Sequence, residues 1–593
     1  MFTTRPTLQG NFGMVSSTHW LVSATAMAVL EDGGNAFDAA VAAGFVLHLA
    51  EPHLNGPAGE VPIMLAPAGQ TPRVLCGQGP APVAATIEHY RDLGFDIMPA
   101  SGPLAAAVPG AFDAWMLLLR DHGTKPLAQV LSYAIGYAER GVPVVEGTVN
   151  AITAVAKLMS TEWPSSAAIY LRDGKPPAPG ELVRNPALAA TWRRLIAEAE
   201  AAGVAREAQI EAARRIWRQG FIAEALAVAA TRPALDTSGE PHAGVLNGDD
   251  LANYAAHYED PATYTWNGWT IAKPGLWSQG PVFLQQLALL DELPDYASPE
   301  YYHVLIEGSK LALADREAWY GDSTPVCLDT LLSPDYNSRR RTLIGPQACN
   351  ELRPGSPDGM TPRLADYKHS HLDPAVAAAL GAGEPTVGST GATRGDTCHI
   401  DVVDRWGNMV AATPSGGWLQ SNPVVPELGF TLNTRLQISC LQPDLPNSLV
   451  PGRRPRTTLS PSMAMRDGEV VMAFGTPGGD QQDQWSPHFF LAVALRDKVR
   501  GGLDLQGAID APNWHQENFP SSFFPRTMNP GVVVVESRIG QDVIDELDRR
   551  GHRVTVNGPW TEGRLCAVAR DPDTGILSAA ASPRIMQGYA AGR

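Results

Sequence analysis

At residue 397 this 593-residue chain changes character. The stretch RGDTCHIDVVDRWGN, Arg394 to Asn408, opens with Gly395-Asp396, continues with Thr397, Cys398 and His399, becomes an alternating apolar run and ends in a Gly-Asn turn. Alternation of this kind predicts a strand with one buried face. Side chains of neighbouring strand residues leave on opposite faces, so Thr397, Cys398 and His399 cannot all serve one site. On either side of this point the texture differs. Upstream, the Ala-rich segments split by Asp32-Gly33-Gly34-Asn35 and the long amphipathic run from Ala187 to Ala230 read as helices, with two short strands around the Gly turn of PIMLAPAGQTPRVLCGQG. From GAFDAWMLLLRDHG, which begins at Gly110, to about Trp319, helical patterns dominate. Downstream, CHIDVVD, NMVAATPS, GFTLNT, SMAMRDGEVVMAFGTPGG, GVVVVESRIG and RLCAVARD read as strands, interrupted by one helical segment, SPHFFLAVALRDKVR. Between the two lies a stretch of Pro, Gly, Thr and charge, about 345–396, expected to be a loose tether.

A loose tether that ends at a threonine has a chemical use. A hydroxyl is a poor nucleophile without an adjacent base. Cutting the chain before Thr397 frees an α-amino group with a reference pKa near ~7.7–8.0, on the same residue as the hydroxyl it would serve. Attack on an acyl carbon then needs donors for the oxyanion. FGTPGGDQQ offers them: Pro477 stiffens the approach, and Gly478 and Gly479 can aim successive N–H groups at one point. Cleavage one bond later would make Cys398 the nucleophile instead, and Gly-Gly is also a common turn.

Composition narrows the function classes. The chain is 44% hydrophobic and 18% charged, with a formal net charge of -17, which lacks the basic footprint of a nucleic-acid binder. No segment is long and apolar enough for a membrane span, and no secretory leader is recognisable in MFTTRPTLQGNFGM. The six cysteines are scattered without metal or disulfide spacing, so a reducing, cytoplasmic setting is expected, with no metal and no cofactor.

Taken together, these segments resemble the γ-glutamyltranspeptidase family of N-terminal-nucleophile hydrolases over nearly the whole chain. GMVSSTHWLVSATAMAVLEDGGNAFDAAVAA is similar to the family's opening, AEPHLNGPAGEVPIML to its Glu-Pro-His and Gly-rich stretch, and AAAVPGAFDAW to its Val-Pro-Gly helix start. KLALADREAWYGD resembles the Ala-Asp-Arg helix, DTCHIDVVDRWGN the cleavage and nucleophile motif, RRPRTTLSPSM the Arg-Pro loop and GTPGG the oxyanion loop. The resemblance implies an α/β fold, a four-layer αββα sandwich built jointly by two subunits, 1–396 and 397–593, of one self-cleaved precursor. It implies cleavage between Asp396 and Thr397, Thr397 as nucleophile, Gly478 and Gly479 as the oxyanion hole, and Ser415 as a hydroxyl partner of the nucleophile. Cys398 and His399 become structural, His399 bonding neighbouring backbone. The expected partner is a small-molecule substrate.

The substrate clamp departs from the family pattern. Ile87 stands where the family's carboxylate-binding arginine is expected, Gly417 where an Asn follows, and Gln437 and Ile438 where two acids hold the γ-glutamyl ammonium group. The hydroxyl pair survives as Thr457 and Thr458, and Arg435 and Arg456 flank the presumed pocket. Ile cannot replace a two-point arginine–carboxylate bond. The expected substrate is therefore an anionic acyl group other than γ-glutamyl, bound by Arg435 and Arg456 as cations that lack a partner; the alternative for each arginine is a surface or structural ion pair. The other readings are a γ-glutamyl hydrolase or transferase with a rearranged clamp, a hydrolase that removes an oxalyl group by C–C cleavage, and a binding protein that never processes.

Overall fold

The computed structural model describes residues 2–290, 292–367, 374–383, 397–500 and 503–593. Fourteen strands build two large antiparallel sheets. In chain order they are β1 (Leu8–Gly10), β2 (Gly13–Ser17), β3 (Val61–Ala66), β4 (Arg73–Gly77), β5 (His257–Glu259), β6 (Ala262–Trp266), β7 (Trp269–Lys273), β8 (Ile400–Asp404), β9 (Met409–Ala412), β10 (Ser462–Arg466), β11 (Glu469–Gly475), β12 (Cys566–Arg570), β13 (Leu577–Ala581) and β14 (Tyr589–Gly592). The first sheet runs β14-β2-β8-β9-β3-β4-β5 and the second β1-β13-β12-β11-β10-β7-β6. Each sheet mixes strands from both sides of residue 397, so neither half of the chain has a complete sheet of its own.

Burial divides by strand parity into layers. Ile400 and Val402 of β8 join α1 (Trp20–Glu31), α2 (Ala36–Ala50), α3 (Ala111–His122) and α4 (Leu127–Arg140) in one apolar cluster. Val403, with Met14, Met64 and Ala411, meets Met463, Ala473 and Val568 of the second sheet. The far face of that sheet, through Ile271, Phe474 and Ala567, packs on α5 (Gly280–Leu289), α6 (Pro299–Trp319), α7 (Gln482–Arg500) and α8 (Gln541–Arg549). Helix, sheet, sheet, helix is the αββα sandwich. The helix break expected at 32–35 is present: Gly33 has φ +83°, and Asn35 and Asp38 form a reciprocal capping box that starts α2.

Three expectations need correction. The helix-rich upstream half contributes β5, β6 and β7; Asn267 and Gly268, with φ of +49° and +80°, make the turn of a hairpin whose strands alternate Thr with aromatic and apolar residues. The strand-rich half contains α8 as well as the helix foreseen from its sequence. The third correction concerns the tether. Residues 345–355 are packed on α6, because that helix buries charges which need partners. Glu307 takes Lys310 at 2.7 Å and Arg353 at 3.1 Å. Asp315 accepts the Gly355 N–H at 2.6 Å, and Trp319 Nε1 donates to the Gly355 carbonyl at 3.0 Å. Farther on, Asp358 accepts from Thr330, and Arg363 donates to the Asp444 carbonyl. The remainder from 368 to Asp396, apart from the helix Pro374–Leu380 and the residues that follow it to 383, lies outside the described residues.

Candidate active site

Thr397 precedes β8 and keeps its register. Ile400 pairs with Ala412, and three residues upstream Thr397 pairs with Ser415. Ser415 pairs in turn with Glu60, which accepts and donates backbone hydrogen bonds to it at 3.0 and 2.9 Å. Directly paired residues present their side chains on one face of a sheet, with Cβ atoms about 4.5–5.5 Å apart. Thr397, Ser415 and Glu60 thus form a row on the face turned toward the second sheet. All three are buried. The Thr397 hydroxyl has no hydrogen-bond partner among the described residues.

The two neighbours of Thr397 are accounted for structurally. Cys398 points to the helix side of the sheet, where Asn55 Nδ2 lies 3.3 Å from its sulfur. Burial, and then the nearby Glu51, push its thiol well above the usual range. A thiol that resists ionisation is a poor nucleophile, which argues against the rival cleavage at Cys398. His399 shares the face of Thr397, but its ring bonds side chains rather than the expected backbone: Nδ1 to the Thr413 hydroxyl and Nε2 to Asp401 Oδ1, both at 2.9 Å. The ring fills the space over Gly475, where an added Cβ would come within 2.4 Å of it.

The oxyanion-loop candidates follow β11. Gly478 and Gly479 have φ of +133° and +53°, left-handed values that favour glycine. A Cβ on Gly478 would stand 2.2 Å from the Trp485 ring. The carbonyls of the loop are committed. Pro477 O accepts the Thr476 hydroxyl at 2.8 Å, Gly478 O accepts the Gln481 N–H at 3.0 Å, and Gly479 O accepts Gln279 Nε2 at 3.0 Å. In a planar trans peptide each following N–H points the opposite way. The N–H groups of Gly478 and Gly479 are therefore directed away from these bonds. Arg564 links the loop to Thr397: its N–H donates to the Thr476 hydroxyl at 3.0 Å and its guanidinium to the Thr397 carbonyl at 3.1 Å.

The acidic residues after the loop anchor it. Asp480 pairs with Arg316 of α6 at 2.5 Å and accepts from Ser522, and Asp483 pairs with Lys273 at 2.9 Å. Burial pushes the Asp483 carboxyl up to about 6 against the pull of Lys273.

The predicted clamp residues divide. Thr457 is held in backbone pairing with Trp277 and Gln279, whereas the buried Thr458 hydroxyl has no partner among the described residues. Ile87 starts a short helix and Ile438 is buried. Gln437 donates to the Thr434 hydroxyl, and its Oε1 has no partner among the described residues. Gly417, with φ of +67°, packs on Gly56. The expectation of two cations without counter-ions is corrected. Arg456 is bound to Glu317 at 2.8 Å and to the Arg316 carbonyl at 3.0 Å. Arg435 is in ion-pair contact with Glu60 and lies over the Trp418 ring, 5.2 Å from its centroid. Its Nε and Nη1 have no acceptor among the described residues. Asp396 is outside the described residues. Glu60 and Arg564 were missed from sequence. The signal for Glu60 was an acid placed between a Gly-rich turn and the apolar run VPIML.

One group of metal-ligand type lies elsewhere: donor atoms of Cys76, His257 and Glu259 come within 4.8 Å of one another. Arg454 bonds both Cys76 Sγ, at 3.2 Å, and Glu259, at 2.5 Å, so a cation already serves that spot. Among the described residues no helix is long and apolar enough to cross a membrane.

Known proteins resemble the chain over nearly its whole length. The Gamma-glutamyltranspeptidase family model matches residues 22–592. An acylase ACY 1 proenzyme of Pseudomonas sp. (strain SE83) is 29% identical over 96% of this chain and 92% of its own length. An oxamate amidohydrolase proenzyme of Klebsiella pneumoniae is 29% identical over 98% of each. The solved structure of LmbA2991HD is 67% identical with a TM-score of 0.94 and covers 100% of both chains. That of a cephalosporin acylase from Bacillus halodurans is 26% identical with a TM-score of 0.81, over 100% of this chain and 97% of its own.

Proposed function

Because the chain belongs to the gamma-glutamyltranspeptidase family, we propose that it is a precursor that cuts itself between Asp396 and Thr397 and then hydrolyses or transfers an anionic, oxamate-type acyl group through a threonyl ester. It is an enzyme of that family, with relatives named as acylases and amidohydrolases. The observation that carries the catalytic part is the buried Thr397 hydroxyl, without a partner among the described residues, at the head of β8, in register with Ser415 and linked through Arg564 to the Gly478–Gly479 loop.

The steps follow from these atoms. In the precursor the Thr397 hydroxyl attacks the Asp396 carbonyl, the peptide C–N bond breaks, and water opens the resulting ester. The new α-amino group then takes the hydroxyl proton as Thr397 Oγ1 attacks the substrate carbonyl. The N–H groups of Gly478 and Gly479 hold the oxyanion, each worth roughly 2.7–4 kcal/mol. The leaving group departs with the proton, and water or an acceptor amine repeats the cycle on the ester. A C–C bond to an oxalyl group would present the same carboxylate-carbonyl unit to the site. All six cysteines are free, in keeping with the reducing, cytoplasmic setting that belongs to this proposal.

The substrate part is supported by Ile87, Gln437 and Ile438 in place of γ-glutamyl-binding charges, and by the Arg435 guanidinium next to the nucleophile row. The Glu60–Arg435 pair also favours a second reading, in which Arg435 takes the carboxylate and Glu60 the ammonium of a γ-glutamyl head. Purified, processed enzyme offered oxamate and γ-glutamyl anilide in parallel decides between them. Turnover of oxamate with little of the anilide is expected, and the reverse would overturn the oxamate reading.

A further inference from the structure

Glu60 is a carboxylate that the catalytic steps above do not use, yet it shares the sheet face of the nucleophile. Two bridges, Thr397 to Ser415 and Ser415 to Glu60, put it two strands away from Thr397, about 10 Å across the row. The fold takes care to bring Arg435 to it. Asn433 accepts the Arg435 N–H at 3.1 Å while donating to the carbonyls of Ala58, at 2.8 Å, and Ala107, at 3.0 Å, which fastens the Arg435–Ile438 turn beside the segment that ends in Glu60. Arg435 is 1% exposed and Glu60 2%. Glu60 meets the guanidinium at Nη2, and Nε and Nη1 are left without an acceptor among the described residues. Arginine has five N–H donors, so a second carboxylate can bind the N–H groups that Glu60 leaves unused.

The charge balance poses a problem that only a proton solves. Without substrate the pair is neutral. An anionic acyl group on Arg435 would leave one cation between two buried carboxylates, and like charges sharing a buried site do not both stay ionised. Of the two, an α-oxo carboxylic acid is the stronger acid, so the proton goes to Glu60. Burial already raises the Glu60 carboxyl above its ordinary range, partly offset by Arg435. Among the described residues the groups around it offer no other compensation. Arg435 is the charged side chain that faces it from the 435–438 turn. Ser415 and Gly416 face it from the neighbouring loop without charge, and the Thr397 α-amino group must be neutral to act as base.

Resting on the reading that Thr397 accepts an anionic acyl group, we propose that Glu60 is the charge-compensating, specificity-determining residue of the acyl pocket: it neutralises Arg435 between turnovers and takes up one proton when the acyl carboxylate docks. A γ-glutamyl head, which brings its own ammonium group, would need no such proton.

Calorimetry of oxalate binding to the processed enzyme, in two buffers of different ionisation enthalpy, counts protons directly, and oxalate is not turned over. About one proton taken up per oxalate is expected, with affinity falling roughly tenfold per pH unit over the range in which Glu60 must be protonated for binding. Glu60→Gln should take up none and bind oxalate with no such pH dependence. Oxalate binding without proton uptake, or uptake unchanged in Glu60→Gln, overturns the role of Glu60 even if oxamate is a substrate. An enzyme that neither binds oxalate nor hydrolyses oxamate, but cleaves γ-glutamyl anilide, overturns the substrate reading as well; a raised KM for the anilide in Glu60→Gln would then assign Glu60 to the ammonium. Absence of uptake in the unmodified enzyme overturns the role without any variant, and if Glu60→Gln misfolds, Glu60→Ala, which likewise removes the carboxyl, decides whether an observed proton belongs to Glu60.

Discussion

The oxyanion loop and the nucleophile row are equally buried but commit their charged groups differently. Around the loop both carboxylates are tied, Asp480 to Arg316 and Ser522 and Asp483 to Lys273 and the Ser460 hydroxyl, and the Gly479 carbonyl accepts from Gln279, while Asp483 Oδ2, Gln482 Nε2, Trp485 Nε1 and Ser486 Oγ have no partner among the described residues. Around the row, Thr397 Oγ1, Thr458 Oγ1, Gln437 Oε1 and two guanidinium nitrogens of Arg435 are left without partners among the described residues. Unpaired buried groups cost about 1–3 kcal/mol each, so those of the row stand to gain from a bound substrate. In the proposed mechanism the loop contributes backbone N–H groups and the row contributes side chains. Substitutions in the two regions should therefore fail differently.

The largest effect is expected at the row. Thr397→Ala removes both the nucleophile of self-cleavage and that of turnover. The unmodified protein should run as two fragments, the smaller beginning Thr-Cys-His-Ile, and the variant as a single band near 63.2 kDa with no activity. A smaller fragment that begins at Cys398, or a processed and active Thr397→Ala protein, would remove the basis of the comparison.

Next is a scaffold substitution that touches no substrate. Lys273→Met leaves Asp483 as a buried charge without its ion-pair partner and also removes donors to the Ser460 carbonyl and the Ser462 hydroxyl. Breaking a buried pair from one side typically costs about 3–5 kcal/mol. Urea unfolding should show a loss on that scale, and a loss below about 1 kcal/mol would mean that the loop does not depend on this pair. Gly479→Pro acts at the working end of the same scaffold. It deletes an N–H and drives φ from +53° toward about −65°. A folded protein with at least a ~100-fold lower rate is expected; near-normal turnover would put the oxyanion hole elsewhere.

This contrast also explains what could be read from sequence. That Thr397 stands before a strand and that Gly478 and Gly479 make a turn was legible because those signals are local: an alternating run, and two glycines in a turn that takes positive φ; their catalytic roles belong to the proposal. The Asn267-Gly268 hairpin carried an equally local signal and was overlooked amid long helical periodicities. The 345–355 segment could not be read locally at all, since it is held by charges on α6 that lie tens of residues upstream in sequence. The same holds for the arginines. A sequence gives Arg435 and Arg456 equal standing next to the pocket, whereas their partners, Glu60 and Glu317, come from distant segments that only the fold brings together.

Those two arginines supply the finest test of the comparison. Arg456 belongs to the saturated class, with Glu317 and the Arg316 carbonyl as partners, while Arg435, over the Trp418 ring, keeps Nε and Nη1 without an acceptor among the described residues. Charge-assisted hydrogen bonds are worth roughly 1.5–3 kcal/mol, so Arg435→Met should raise KM for oxamate about 10–150-fold while leaving KM for a neutral amide such as acetamide within about threefold. Arg456→Met should change the two values by the same small factor, because what it loses is packing against α6, and its cost should appear in the urea midpoint. Kinetics on both amides for both variants would reverse the assignment if Arg456→Met alone discriminated against the anion. Arg435 would then be a structural contact, and the anion site would lie on the α6 side of the pocket, next to Arg316 and Glu317.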